Sequence, residues 1–543
     1  MPELSRKRRL AVLGIACLSL FMIGLDDTIV SIALPTIATR LHASVSGLQW
    51  IADGYTMVLA TLLILGGATA DRFGRRRVFR IGLAVFTAAS ALCSLAPGLG
   101  WLIAFRVLQA VGGSMLNPVA VSIISGVFIS RTQRARAIAI WVGTFGLGMA
   151  LGPSLGGLLV GTVGWRGIFW VNIPVGLVAI VLTTLFVPES RAPAARRPDT
   201  VAQVLVIVIL ASLVYAIIEG AYTDWRAPAI RGLFIVAGVM MAFLAGWELR
   251  RKEPLIQLRH FRNRSFTAAV LIAICAFADL GGFLFLTTIY LQDVRGSSPV
   301  HAALHLLPTA AAMAVCPSLA TWMTARTGSA RLPLVIGGLA LMLSTNLMTQ
   351  LTGSSADTRL VMTFGLFGVG MGMVNSQISV AAVAGMPAYQ AGLASGIASA
   401  SRQVGQALGV AVSGSLLTAK AHGRIHAAFT LASNPAWHLL FWCAFVVVVS
   451  GLMTTRARAR HAMDGNAGRR RQEQQPLPEK QVPYSPPQPL PQRVPQRSLP
   501  RGNTQPPPGR PEPAWLPRFL LDDEEPLADP GFLAAPPGDP AGE

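Results

Sequence analysis

Charge is what this chain has least of. Its 25 Asp and Glu stand against 45 Lys and Arg in 543 residues, and all four types together reach only 13%. A soluble globular domain carries about 25%, so a chain that meets water on every side is excluded. Cysteine is also scarce. Cys17, Cys93, Cys275, Cys316 and Cys443 all fall inside apolar runs with no C-x-x-C pair, which reads as small apolar packing rather than disulfides or thiolate ligands. The sequence lacks a G-x-x-x-x-G-K-[ST] loop for ATP, an H-E-x-x-H pair and a cysteine–histidine cluster. His301 and His305, four apart, have no third ligand beside them. No serine, cysteine or paired-acid constellation stands out, so the expectation is a non-enzyme without cofactor or metal.

Long apolar runs are abundant. Hydrophobic residues make up 52% of the chain and the mean hydropathy is +0.53. A bilayer-spanning helix needs about 20 apolar residues, and about 14 such stretches are present. Lipid forces backbone groups to pair internally, so runs of this length are helices. The expected fold is an all-α polytopic membrane protein. Six spans lie in residues 1–190, two in 191–265 and six in 266–455. Arg6–Arg9 before Leu10 imitates a signal peptide, but the run that follows is long and carries two acids, so it reads as a retained helix. Residues 456–543 hold 20 of the 37 prolines with few aliphatics, and are expected to be a disordered tail with polyproline II tendency.

The net charge of +20 would suit nucleic acid, but its placement argues against that partner. Basic residues concentrate in alternate loops, at Arg6–Arg9, Arg72–Arg80, Arg131–Arg136, Arg191–Arg197, Arg250–Arg264, Arg326–Arg331 and Arg456–Arg460. This is the positive-inside pattern, with both termini cytoplasmic and the lipid bilayer as the partner surface.

Between Gly67 and Val78 the chain reads GATADRFGRRRV, a charged knot between two apolar runs. A carboxylate at Asp71, ahead of a third helix, favours that helix's positive end. Arg72, Arg75 and Arg76 are expected to pair with it or with facing helix termini, making a latch that breaks when one side opens. The string closely resembles the loop between helices 2 and 3 of the major facilitator superfamily, G-x-L-A-D-R-x-G-R-K. Gly67, Asp71, Arg72, Gly74 and Arg75 match; Thr69 replaces Leu and Arg76 replaces Lys.

Four further strings carry the resemblance. Leu25 to Pro35 reads L-D-D-T-I-V-S-I-A-L-P, similar to the first-helix motif L-D-x-T-I-V-N-V-A-L-P of the 14-helix drug:proton antiporter branch, with Asp26 at the motif acid and Asp27 beside it. An acid well inside a membrane helix faces a cavity, takes a proton or meets a cation. Asp53, in Q-W-I-A-D-G-Y-T-M, resembles the quaternary-ammonium exporters of that branch; Asp279 lies alone in the ninth span. Arg106 to Ser114, R-V-L-Q-A-V-G-G-S, resembles R-x-x-Q-G-x-G-x-A on the fourth helix. A guanidinium there cannot lose its proton and needs a carboxylate or carbonyl; the resemblance assigns Arg106 to proton transfer. Gly146 to Gly157 matches the antiporter motif G-x-x-x-G-P-x-x-G-G on the fifth helix. There Gly148, Gly152 and Gly156 form a stripe for close packing, Pro153 removes a backbone donor, and Gly157 closes the string. Gln109, Asn117, Asn375 and Arg402 are candidates to line a cavity.

The resemblance covers about residues 10–455. It implies a major facilitator fold of two six-helix halves with two extra central helices. It also implies a bacterial cell-membrane exporter that exchanges protons for a lipophilic small molecule, a drug or a secondary metabolite, with no obligate protein partner. The alternatives are a proton-coupled uptake symporter, against which the Pro153 motif argues, and a membrane sensor or scaffold using the Pro-rich tail.

Overall fold

The computed structural model describes residues 5–128, 130–191, 199–251, 261, 263–384, 391–421 and 425–453. The Pro-rich segment 456–543 lies outside the described residues. Among the described residues every regular element is helical.

The first set of helices is α1 (Arg6–Leu41), α2 (Val45–Phe73), α3 (Arg75–Leu95), α4 (Leu99–Val127), α5 (Arg131–Thr162), and α6 (Gly167–Trp170), which runs into α7 (Asn172–Phe186). Then come α8 (Thr200–Gly220) and α9 (Pro228–Arg250). The last set is α10 (Arg264–Ile289), ending in a π-helical turn at Tyr290–Val294, α11 (Pro299–Thr327), α12 (Arg331–Met348), α13 (Asp357–Ala384), α14 (Ala391–Ala421) and α15 (Ile425–Met453). Among the described residues twelve spans are long and apolar enough to cross a membrane, and α2, bent by 49° between Val45–Leu63 and Leu65–Phe73, makes a thirteenth. The fourteenth expected span is α14. Its Ser401, Arg402, Gln403, Gln406 and Ser413 are buried against protein rather than lipid, which is why its composition is the least membrane-like.

Short polar turns separate the helices. Ser44 accepts from the Gly47 N–H at the start of α2 (3.2 Å), and Ser298 from the His301 N–H at the start of α11 (3.3 Å). Each satisfies a donor that the helix itself leaves free.

The two sets repeat one packing scheme. In the first, α1 packs on α5, α2 on α4, and α3 on α4 and α7; in the second, α10 packs on α14, α11 on α13, and α12 on α13 and α15. Between the sets the contacts are reciprocal as well: α5 meets α11 and α14 meets α2. Inside a membrane, association rests on close packing of small residues, and the α1–α5 seam shows it. A Cβ on Gly148 would stand 2.5 Å from the Phe21 carbonyl oxygen, and one on Gly156 2.8 Å from that of Ile29.

Helix α8 touches both sets. Glu219 accepts from Ser46 Oγ (3.0 Å) and Trp50 Nε1 (3.1 Å) of α2, while Ser415 Oγ of α14 donates to the Ile217 carbonyl (2.7 Å). Helix α9 packs on α8 and presents most of its surface, including Phe234, Ile235, Val239 and Phe243, outward.

Candidate functional site

The residue that organises the centre is Arg106, on α4 and only 2% exposed. A buried guanidinium must be paired, and here α1, α2 and α4 supply its partners. Its Nη1 reaches Asp26 Oδ2 at 2.5 Å and donates to Gln109 Oε1 at 2.7 Å. Its Nε points to the Ile51 carbonyl (3.5 Å), and its plane lies 4.0 Å from the centre of the Tyr55 ring. Asp26 is equally well held. Its Oδ1 accepts from Gln109 Nε2 (2.9 Å) and from Asn172 Nδ2 (2.9 Å), and Gln109 Nε2 also reaches Ser90 Oγ (2.8 Å). Two charges are therefore kept in the membrane by a polar cage in which each oxygen of Asp26 has a donor.

Asp27, the next residue, faces the other way. Gln403 Nε2 of α14 donates to its Oδ2 (3.2 Å) and Gln406 Nε2 to its backbone carbonyl (3.4 Å). Adjacent acids on α1 thus serve different partners: Asp26 binds its own set of helices, and Asp27 binds the opposite set.

Asp53 and Asp279 are not brought into this network. Each is fully buried, on α2 and α10 respectively, and both carboxyl oxygens of each lack a hydrogen-bond partner among the described residues. Among the cavity candidates, Gln109 belongs to the cage. Arg402 donates to Ser379 Oγ of α13 (2.6 Å) and lies 5.8 Å from the Phe277 ring, within the second set. Asn117 and Asn375 are half-buried and stand apart from the cage.

Pro153 shows why the fifth-helix string carries chemistry as well as shape. Proline has no N–H, so the carbonyl four residues earlier, Met149, loses its helix partner. Thr28 Oγ1 of α1 donates to that carbonyl at 2.9 Å. Gly152 leaves the space for this hydroxyl, since a Cβ there would collide with Thr28. At the end of the string Gly157 packs on Pro299 and Ala303 of α11, in the opposite set. Contacts between the sets at Gly157–Pro299, Gln292 Nε2 to the Ile32 carbonyl (2.7 Å), and Gln49 Nε2 to the Ala411 carbonyl (2.7 Å) lie toward the end away from the charged α2–α3 loop.

The charged loop differs from expectation in its parts. Asp71 precedes α3 from within the last turn of α2, and it pairs with Arg75 at 2.9 Å across one turn. The carboxylate at the start of α3 is Glu189, from the strap after α7. It accepts from the Arg76 N–H (3.2 Å) and pairs with Arg77 (3.8 Å), so Arg76 contributes its backbone here. Arg75 Nη1 also reaches the Ser122 carbonyl of α4 (3.3 Å), while Arg72 lies over the neighbouring Phe73 ring (5.4 Å). Gly67 fits against Pro118 of α4. Gly74 has φ +112°, a backbone state that favours glycine, and a Cβ there would meet Glu189 at 2.7 Å.

Asn172, Ser90, Tyr55 and Glu189 escape sequence reasoning. Asn172 does sit in the W-R-G-I-F-W-V-N-I-P-V-G string, Trp165 to Gly176, which resembles the family's sixth-helix entry but suggests little chemistry by itself.

Two six-helix sets repeating one packing scheme around a buried, caged ion pair define a membrane transporter. The chain belongs to the Major Facilitator Superfamily, whose family model matches residues 16–410. It is 37% identical over 402 residues to the Multidrug resistance protein Stp of Mycobacterium tuberculosis, covering 74% of each chain. It is likewise 37% identical over 408 residues to the Tetracenomycin C resistance and export protein of Streptomyces glaucescens, again 74% of each. With the Methylenomycin A resistance protein of Streptomyces coelicolor the identity is 32%, over 77% of this chain and 90% of that one. Among solved structures, a POT family transporter in complex with a thioalcohol-conjugated peptide superposes with a TM-score of 0.60 at 15% identity, over 81% of this chain and 94% of that one. A bacterial homologue of the lysosomal transporter Spinster gives 0.57 at 18%, over 83% and 97%. At these identities the two structures speak for the fold.

Proposed function

We propose that the chain exports lipophilic small molecules, drugs or antibiotics, across the cell membrane in exchange for protons, by rocking of residues 1–190 against residues 266–455. One observation carries the reading. The Asp26–Arg106 pair is buried in the middle of the bundle, and the very next residue, Asp27, bonds to the opposite set of helices. A change of charge at this pair of acids therefore acts at once on the cage and on the surface that has to part. Protonation of Asp26 would leave Arg106 without its counter-charge, which is costly in a buried site, so proton uptake and rearrangement are linked. Asp53 and Asp279, buried without a hydrogen-bond partner among the described residues, are the further acids that a proton or cation would serve. The resistance and export proteins among its relatives support a drug as cargo and export as direction.

Transport needs no bond-making group; binding, pairing and packing are enough. Pro153 and the glycine stripe would let α5 slide and bend on α1, and the Asp71–Arg75 and Glu189 contacts would hold the loop end of the first half together. With the charged loops and both termini in the cytoplasm, the arrangement described is the one closed toward the outside. The test is accumulation of a fluorescent lipophilic drug in an efflux-deficient bacterium expressing the chain. Accumulation should fall, and a protonophore should restore it. A rise in accumulation, or a fall that the protonophore leaves untouched, contradicts the proposal.

A further inference from the structure

The Asp27 side of the centre is unlike the Asp26 side in one respect. Around Asp26 every oxygen is satisfied, whereas around Asp27 three buried oxygens are not: Asp27 Oδ1, Gln403 Oε1 and Gln406 Oε1 have no hydrogen-bond partner among the described residues. The three side chains are all buried, at 6%, 5% and 4% exposure. The orientation of both amides is set by what their nitrogens face. Gln403 Nε2 donates to the Asp27 carboxylate and Gln406 Nε2 to the Asp27 carbonyl, both acceptors. Turning either amide over would set oxygen against oxygen, so their Oε1 atoms remain as acceptors.

Asp27 and Gln406 line one cavity of about 20 Å³ at the contact between the two sets, together with Ser31, Thr56 and Arg106. That is room for one small polar group in this closed arrangement. The charges are unbalanced as well. Arg106 forms its ion pair with Asp26, and the carboxylate of Asp27 accepts its one side-chain hydrogen bond among the described residues from the Gln403 amide. Buried polar groups are satisfied in native structures with few exceptions, and a cluster of exceptions facing a cavity calls for a group to satisfy it. A site offering acceptors, where two acids share one guanidinium, calls for a ligand that brings donors and one positive charge.

We propose that Asp27 and Gln406, with Gln403 orienting the Asp27 carboxylate, form an amine subsite, which binds the N–H groups of a protonated primary amine on the transported molecule. This deepens the export reading and rests on it. The chemistry separates two kinds of cation. A primary ammonium carries three N–H donors for the orphaned oxygens, whereas a quaternary ammonium of the same skeleton has the charge and no donor. A hydrogen bond to a charged group that is lost in a buried site weakens binding about tenfold or more. The subsite is also built from both sets of helices, α1 on one side and α14 on the other, so an amine bound there bridges the surface that parts.

The experiment is equilibrium binding to the purified full-length protein in detergent, with a radiolabelled lipophilic primary amine and its trimethylated quaternary analogue. The primary amine should bind about tenfold tighter, and the ratio should shrink toward one in Gln406→Leu and in Asp27→Asn. Equal affinity for the two compounds in the unsubstituted protein overturns the subsite, as does an absence of amine binding, or a ratio unchanged in a Gln406→Leu protein that elutes as a monodisperse species. The comparison within the unsubstituted protein stands even where a variant does not fold. Drug efflux that a protonophore abolishes, with no preference for the primary amine, would leave the export reading in place and remove only the subsite.

Discussion

Thr28 on α1 donates its hydroxyl to the Met149 carbonyl on α5 at 2.9 Å, filling the bond that Pro153 removes from its own helix. The antiporter string is therefore completed by a residue 121 positions away, in the same short motif as Asp26 and Asp27. Bending of α5 and the charge state of α1 meet at this contact.

Thr28→Val keeps the shape and removes the donor, leaving the Met149 carbonyl unsatisfied at a cost of about 1–3 kcal/mol. Thr28→Ser should behave as the unsubstituted protein does. Pro153→Ala returns an N–H to α5, so the Thr28→Val/Pro153→Ala pair should cost less than the two single changes summed. Thermal unfolding of the purified protein in detergent checks the cycle; strict additivity would deny the contact a role.

The glycine seam predicts a contrast within one helix. Gly148→Ala places a methyl against the Phe21 carbonyl oxygen at 2.5 Å and should cost about 1–3 kcal/mol through forced separation of α1 and α5. Gly146→Ala has open space within 4 Å and should be neutral to slightly stabilising. The yield of monodisperse protein on size exclusion after heating separates the two.

Removing one member of the central pair leaves the other charged and buried. Asp26→Asn and Arg106→Gln should each lower stability by about 3–5 kcal/mol. The double variant should recover much of that loss and still fail to couple transport to protons. Unfolding temperature and drug efflux measured on the same three variants distinguish a structural role from a coupling one.

How much of this centre is legible in sequence depends on whether its parts lie in one string. Asp26, Arg106, Gln109 and Pro153 each stand in a motif whose residue types betray a need: an acid or a guanidinium inside an apolar run demands a partner. Asn172 supplies such a partner to Asp26 from 146 positions away, and Ser90 lies in a span that reads as ordinary apolar helix. A single amide or hydroxyl in such a run has no periodicity to mark it; only packing of α3 and α7 against α4 and α1 gives it a role. The loop shows the same limit. The need for a carboxylate at the start of α3 is readable, but the chain meets it with Glu189 from beyond α7 because Asp71 is still inside α2.

Asp199 caps α8, and its carboxyl is held below the ordinary range. Burial would raise it, but the Ala202 N–H, the Trp247 indole and Arg251 together outweigh burial. A depressed folded value means stability that is present above the unfolded value of about 3.9 and lost as pH falls through the folded one. Asp199→Ala should therefore cost about 1 kcal/mol at neutral pH, with the difference from the unsubstituted protein shrinking below about pH 4. Unfolding temperatures at pH 7 and at the acid limit of the detergent solution test the sign.

The most direct measurement uses everted membrane vesicles energised to an acidic interior, with the pH gradient followed while non-basic antibiotics and disinfectant cations are added in turn. Addition of a transported compound should partially collapse the gradient, an effect lost in Asp26→Asn and Arg106→Ala. Uptake of such a compound into these vesicles with the gradient undisturbed, or a collapse that persists in both variants, would contradict proton exchange at the Asp26–Arg106 centre.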